Sequence, residues 1–239
     1  MSRDNEKSTS QIQDLPVPDF SMVIASAVHD MKNSLGMLLS TLEDLRQEQQ
    51  SQLGDNPRMN TLQYEAERVH SDLVQLLGIY RLGEHKLSAH SDEHYVADFL
   101  SEQVARHEPL LKGYGIEYSI ETSAETTGYF DEELVAGIIA STLNNAIRYT
   151  STRIALKARE EDGWLVISIE DDGAGYPAHM KNAGDALIKA PDFRTGSTSL
   201  GLYFATAIAR LHENCGRHGD IRIRNGGSLG GGVFEIWLP

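Results

Sequence analysis

The chain has 239 residues, a formal net charge of −14 and a sequence pI of about 5.0. That balance argues against sequence-independent binding to nucleic-acid phosphates and against docking on an anionic membrane. A 40% apolar share supports a real core, the single Cys215 rules out an internal disulfide framework, and no run approaches the ~18 apolar residues of a membrane span.

The N-terminus "MSRDNEKSTSQIQD" lacks the apolar stretch of a secretory signal. Together these features predict a soluble cytoplasmic protein. Residues 1–17 are polar and aperiodic and read as a flexible tail.

A helical pattern follows, with Phe20, Ile24, Ala27, Met31, Leu35, Leu38, Leu42 and Leu45 stepping by threes and fours. "GDNP" at 54–57 breaks it with turn residues. A second seam runs through Met59, Leu62, Ala66, Val69, Leu73, Leu76 and Tyr80 and ends near Gly83. Two long helices with a short loop form a hairpin, and two hairpins bury both seams in a four-helix bundle. The expectation is a homodimer through residues 18–90.

Beyond "KLSAHSDEH" the periods alternate. Helices are predicted at about 94–112, 131–149 and 200–212. "GIEYSIET", "TRIALKARE", "WLVISIED", "DIRIRN" and "GVFEIWL" read as strands. Residues 91–239 thus predict an α+β two-layer sandwich, with helices on one face of a mixed sheet.

Three stretches of this half carry chemistry. In "STLNNAIRYT" the spacing puts Ser141, Asn145 and Arg148 on one helix face, opposite Leu134, Ile138 or Ile139, and Leu143. An amide oxygen suits Mg²⁺ and a guanidinium suits phosphate, although a solvated polar face has the same pattern. In "IEDDGAGYP" a strand runs into Asp171, Gly173 and Gly175. The carboxylate can accept from an exocyclic amine and the glycines admit close backbone approach, although an ordinary turn uses the same residues. In "TGSTSLGLYFATAIARLH" small residues lead into an apolar helix, whose N-terminal N–H groups can cradle phosphate.

The order and spacing of these stretches resemble the sensor histidine kinase core, with an ATP-binding domain of the GHKL superfamily. "LNNAIRYT" is similar to its N box, "DDGAG" to its G1 box, "GSTSLGL" to its G2 box and "HDMKNSLG" to its H box. The resemblance covers roughly residues 18–239. It implies a dimerisation and histidine phosphotransfer bundle at 18–90 and a Bergerat-type sandwich at 91–239, with ATP and Mg²⁺ bound. By that resemblance Asn145 is the Mg²⁺ residue, with Arg148 and Tyr149 near phosphate and base. Asp171 reads adenine beside Gly173 and Gly175, and Gly196, Ser199, Leu200 and Gly201 belong to a lid over the triphosphate.

His29 is the implied phosphoacceptor. It lies roughly 160–200° around the helix from Ala27 and Met31, so it faces away from the seam, and Asn33 shares its face. Asp30 is placed to orient the ring and take its proton. Asn33 is the implied residue for dephosphorylating a response regulator. Two departures stand out: Ser141 occupies the place of a second N-box asparagine, and Ser199 that of a G2 glycine, where a Cβ restricts the lid backbone. Phe193 is the one phenylalanine available to the hydrophobic box before the lid.

The expected function is ATP-dependent autophosphorylation of His29, then transfer to the receiver domain of a response regulator. Input is expected from a separate sensor protein. The alternative is a phosphotransfer protein or scaffold with a degenerate ATP site. A GHKL protein of another kind, such as an anti-sigma serine kinase, fits the H-D-x-K-N hairpin poorly.

Overall fold

The structure is a computed structural model that describes Val28 and residues 31–33, 35–42, 57–83, 87–181 and 197–239. The tail, His29, Asp30, Phe193, Gly196 and residues 54–56 of the predicted turn lie outside the described residues. Residues 31–33 and 35–42 are helical. Helix α1, Pro57–Gly83, carries the second predicted seam.

The remainder is a sandwich. It comprises β1 (Asp92–Tyr95), α2 (Val96–Gly113), β2 (Glu117–Glu121), β3 (Thr127–Phe130), α3 (Glu132–Tyr149), β4 (Arg153–Glu161) and β5 (Trp164–Asp171). The short α4 (Ala178–Lys181), α5 (Ser197–Leu211), β6 (Glu213–Asn214), β7 (Arg217–His218), β8 (Asp220–Asn225) and β9 (Gly232–Leu238) follow. The sheet order is β2-β4-β5-β9-β8, parallel at β2–β4 and antiparallel elsewhere, so the predicted mixed sheet is present.

Four short strands were not predicted. β1 pairs with β3 (Asp92↔Phe130), and β6 with β7. Each has four residues or fewer, too few to show an alternating pattern.

Strand pleating decides the layers. Leu165, Ile167 and Ile169 of β5 face the helices together with Leu156 of β4 and Ile236 of β9. They pack against Phe99 and Leu100 of α2, Ile138, Ile139 and Leu143 of α3, and Phe204 and Ile208 of α5. Burying each such side chain stabilises the fold by about 1.5–3 kcal/mol. Both isoleucines offered as alternatives for α3, Ile138 and Ile139, are buried.

The other sheet face is covered by long charged side chains. Arg159 and Arg224 both reach Glu235 at 3.3 Å, and the Arg222 guanidinium lies 3.7 Å from the Trp237 ring centroid.

Two polar nodes fix α3 at its ends. At the N-terminus, Asp131 Oδ1 accepts from Leu134 N (3.0 Å), an N-cap, and Oδ2 accepts from His90 N (2.9 Å). Asp131 N donates to His212 Nε2 (3.0 Å), so the ring proton sits on Nδ1, which donates to Ile208 O (3.0 Å).

At the C-terminus, Asp172 Oδ1 accepts from Thr150 Oγ1 (2.6 Å), Ser151 N (2.8 Å), Thr152 N (2.9 Å) and Arg153 N (3.1 Å). Its Oδ2 accepts from Thr152 Oγ1 (2.6 Å). Desolvation opposes ionisation, but these hydrogen bonds prevail and hold the carboxyl well below the usual range.

Asp172→Ala removes the acceptor of the α3–β4 connection, whose donors, apart from the part-buried Thr150 hydroxyl, are exposed and can turn to water. It is expected to cost about 1 kcal/mol and to lower Tm by a few degrees, read by calorimetry. The Asp172 contribution is complete above its unfolded pKa, near 3.8, and is lost as pH falls below it. A variant melting with the parent at pH 7 refutes the staple.

Histidines add a second pH dependence. Burial lowers the pKa of both His107 and His212, so both are neutral in the fold. Below about 6.5 the unfolded chain binds protons that the folded chain does not, so stability falls as pH drops through that value. Urea unfolding at pH 7.5 and 5.5 is expected to show the lower midpoint at 5.5. Both rings should titrate below 6.5 by NMR.

Candidate nucleotide site

A cavity of about 350 Å³ opens between α3, the end of β5 and the start of α5. Its floor is apolar: Ile169 of β5, Phe234 of β9, Ala146 of α3, Leu202 of α5 and Met180 of α4. Its polar groups are few and convergent, which is the usual character of a small-molecule site. Asn145 and Ser141 line it from α3, and Asp171, Gly175 and Tyr176 from the β5 end.

Asp171 is the most constrained of these. Its Oδ1 accepts from Gly173 N (2.8 Å) and Gly232 N (3.1 Å), and its carbonyl from Gly231 N (3.0 Å). Among the described residues both side-chain hydrogen bonds land on Oδ1, which leaves Oδ2 as the acceptor for a ligand donor.

Glycine is required at Gly173, where a Cβ would stand 2.0 Å from Tyr149 O. Gly175 has φ +76°, and a Cβ there would meet Asn225 at 2.8 Å.

Asn225 holds the loop like a hook. Its Oδ1 accepts from Tyr176 N (2.7 Å) and its Nδ2 donates to Tyr176 O (2.9 Å). Burial, then the neighbouring Asp171, pushes the Tyr176 hydroxyl pKa above its ordinary 10, so it remains a neutral phenol.

The sequence-predicted residues divide. Asn145, Tyr149, Asp171, Gly175 and Gly201 line the cavity together, with Gly173 in the turn beneath Asp171. Arg148 lies outside it, exposed, with its guanidinium 5.3 Å from the Tyr149 ring centroid. Ser199 and Leu200 lie in the first turn of α5. Ser199 is therefore helical here, a conformation any residue adopts. Asn33 is exposed on the N-terminal helical segment.

The solvated-face alternative fails at Ser141: it is buried, because Gln75 of α1 covers it and donates Nε2–H to its Oγ (2.8 Å). Asn225, Gly231, Gly232 and Gln75 were missed by sequence reasoning. "NGG" at 225–227 and "GGG" at 230–232 read only as turns, and nothing in the sequence marks Gln75 as reaching α3.

Among the described residues no cluster of three or more His, Cys, Asp or Glu could hold a metal by itself. The side-chain oxygens lining the cavity are amides and hydroxyls with the one carboxylate of Asp171. They suit Mg²⁺ that keeps most of its ligands as water and phosphate. Among the described residues no helix is long and apolar enough to cross a membrane.

A family model described as histidine kinase-, DNA gyrase B-, and HSP90-like ATPase matches residues 130–239. Over 91% of its length the chain is 26% identical to the sensor protein PhoQ of Escherichia coli O157:H7 and to the virulence sensor histidine kinase PhoQ of Salmonella typhimurium. It spans 43% of each of those relatives, less than half their length.

Among solved structures, the histidine kinase AdeS of Acinetobacter baumannii superposes with TM-score 0.57 at 17% identity. The match covers 86% of this chain and 95% of that one. Full-length ShkA in complex with AMPPNP gives 0.59 at 21% identity, over 91% of this chain and 45% of that one. These similarities establish a shared fold. Residues 130–239 thus match the histidine kinase-, DNA gyrase B- and HSP90-like ATPase model, in a chain similar over most of its length to sensor histidine kinases.

Proposed function

We propose that the chain is an ATP-dependent protein-histidine kinase that phosphorylates His29 and passes the phosphoryl group to an aspartate of a response regulator. The observation that carries this reading is the cavity itself. An apolar slot ends on Asp171, a carboxylate with one oxygen to spare, and Asn145 stands on a neighbouring wall. That combination suits a purine with an exocyclic amine at one end and a metal-bound phosphate chain at the other.

The roles follow from the residues. Asp171 Oδ2 accepts from the exocyclic amine, while Ile169 and Phe234 bury the base. Asn145 offers its amide oxygen to Mg²⁺, and Arg148 its guanidinium to phosphate. When bound, Mg²⁺ neutralises charge developing on the transferring group. A neutral imidazole nitrogen of His29 attacks the γ-phosphorus. A P–N bond forms, the bond to the β,γ-bridging oxygen breaks, ADP leaves, and the displaced ring proton passes to Asp30. An aspartate carboxylate of the receiver domain then takes the phosphoryl group from the ring.

Incubation with γ-labelled ATP and Mg²⁺ is expected to give acid-labile, base-stable label that is absent in His29→Gln. Asp171→Ala and Asn145→Ala each remove a charge-assisted contact and are expected to weaken ATP binding by roughly 10- to 100-fold in calorimetric titration. A wild type that takes no label from ATP, but accepts it from a phosphorylated regulator, supports the relay alternative instead.

The same reading includes a second copy of the chain. In the single chain Leu62 (51% exposed), Val69 (43%) and Leu76 (41%) form a row at i, i+7, i+14 on α1, and Met31 and Leu38 repeat the interval on the N-terminal segment. A heptad-spaced apolar row in water is the seam of a helical bundle lacking its partner. Light scattering is expected to give a dimer mass at micromolar concentration. The pair Val69→Glu, Leu76→Glu should reduce it to a monomer without loss of helix by circular dichroism. A wild-type monomer overturns the bundle.

A further inference from the structure

Helix α1 belongs to the hairpin, yet it also packs on the sandwich. A Cβ on Gly78 would stand 2.5 Å from the Phe204 ring of α5, and Tyr64 meets Tyr114 edge-on, with centroids 5.9 Å apart. Between these contacts Gln75 is only 4% exposed. Its Nε2 donates to Ser71 Oγ (3.2 Å) on its own helix and to Ser141 Oγ (2.8 Å) on α3. Its Oε1 is buried with no protein donor, and so is Asn144 Oδ1.

A buried acceptor without a donor is unfavourable, so two such acceptors close together are matched by a group that donates. Gln75 and Asn144 both border a second cavity, of about 20 Å³, together with Arg68, Ser71, Asp72, Asn145 and Arg148. Ser141, Asn145 and Gly201 border this cavity and the larger one alike, so the two share a wall. The waters carried by Mg²⁺ offer hydrogen bonds only as donors, and a small space beside Asn145, bordered by the Asp72 carboxylate and by two residues whose amide oxygens are buried without a donor, matches them.

We propose that Gln75 is a positioning residue of the nucleotide site, supplied by the hairpin helix. Its carboxamide serves beside Ser141 in place of the amide that α3 lacks there, and its oxygen accepts from the hydrated magnesium of the nucleotide. The inference rests on the nucleotide reading above. It makes affinity for Mg²⁺-nucleotide depend on α1 being seated against α3 and α5.

The test uses the full chain and ADP, titrated by calorimetry with Mg²⁺ and again in EDTA. Gln75→Ala is expected to weaken Mg²⁺-ADP binding about five- to tenfold while leaving metal-free ADP binding nearly unchanged. Adding Ser141→Asn to Gln75→Ala is expected to restore most of the loss, because the amide then comes from α3. A wild type that binds no ADP removes the nucleotide reading itself. A wild type that binds ADP, with Gln75→Ala binding equally or more tightly, overturns the role of Gln75. Equal weakening with and without Mg²⁺, unrescued by Ser141→Asn, reduces Gln75 to a packing residue and likewise overturns it.

Discussion

The site depends on one carboxylate oxygen shared by two backbone segments. Asp171 Oδ1 accepts from Gly173 N in its own turn and from Gly232 N at the start of β9, and Gly231 N closes on its carbonyl. Three pieces of chain can approach this closely only where no Cβ intervenes. A Cβ on Gly231 would lie 2.5 Å from Asp171 O, and one on Gly232 would lie 2.7 Å from Asp171 Oδ2. A Cβ on Gly173 would strike the carbonyl at the end of α3. The glycines therefore set the distances among α3, β5 and β9, and those distances define the cavity. The remaining oxygen, Oδ2, becomes a fixed acceptor because Oδ1 is fully engaged.

The adjacent carboxylate has a different duty for a simple geometric reason. Successive residues at a strand end point to opposite sides. Asp171 turns toward the cavity and Asp172 toward the α3–β4 connection, where Thr150, Ser151, Thr152 and Arg153 saturate it. A carboxylate so satisfied has little left for a ligand, and its depressed pKa reflects that saturation. The "DD" pair thus divides into a carboxylate with one oxygen left toward the cavity and a structural staple. The staple holds the C-terminal end of α3, and with it Asn145 and Tyr149, in register with Asp171.

What could be read in the sequence, and what could not, follows the range of the interactions. Helices α1 and α3 and strands β4, β5, β8 and β9 carry their period within a single segment, so their existence and nearly their bounds were legible. D-x-G-x-G was legible because its members are neighbours. β1 and β3 exist only through each other, across an intervening helix and strand, and four residues carry no period. The partners that complete the site come from far along the chain: Asn225 on Tyr176, Gly232 on Asp171, Gln75 on Ser141. Ser141 shows the consequence. Helical spacing placed it correctly beside Asn145, but no local rule could say that another helix would cover that face.

The charge of the chain sharpens what such a site has to do. A nucleotide polyphosphate is anionic and the protein carries −14, so the far field opposes its approach and favours its departure. At physiological salt that field decays over about 8 Å, and recognition falls to groups in contact. Two cations border the small cavity, Arg148 from α3 and Arg68 from α1. Arg68 is also paired with Glu65 at 2.9 Å, and an exposed pair of that kind contributes about 1 kcal/mol or less. Neither arginine offsets a polyphosphate alone. On the proposed reading the binding energy comes from the buried base, the Asp171 acceptor and a metal ion beside Asn145, all short-range and all dependent on the seating of α1, α3 and α5. A site built this way responds to helix position more steeply than to ionic strength, because a displaced amide loses its hydrogen bond within an ångström whereas a screened charge loses little.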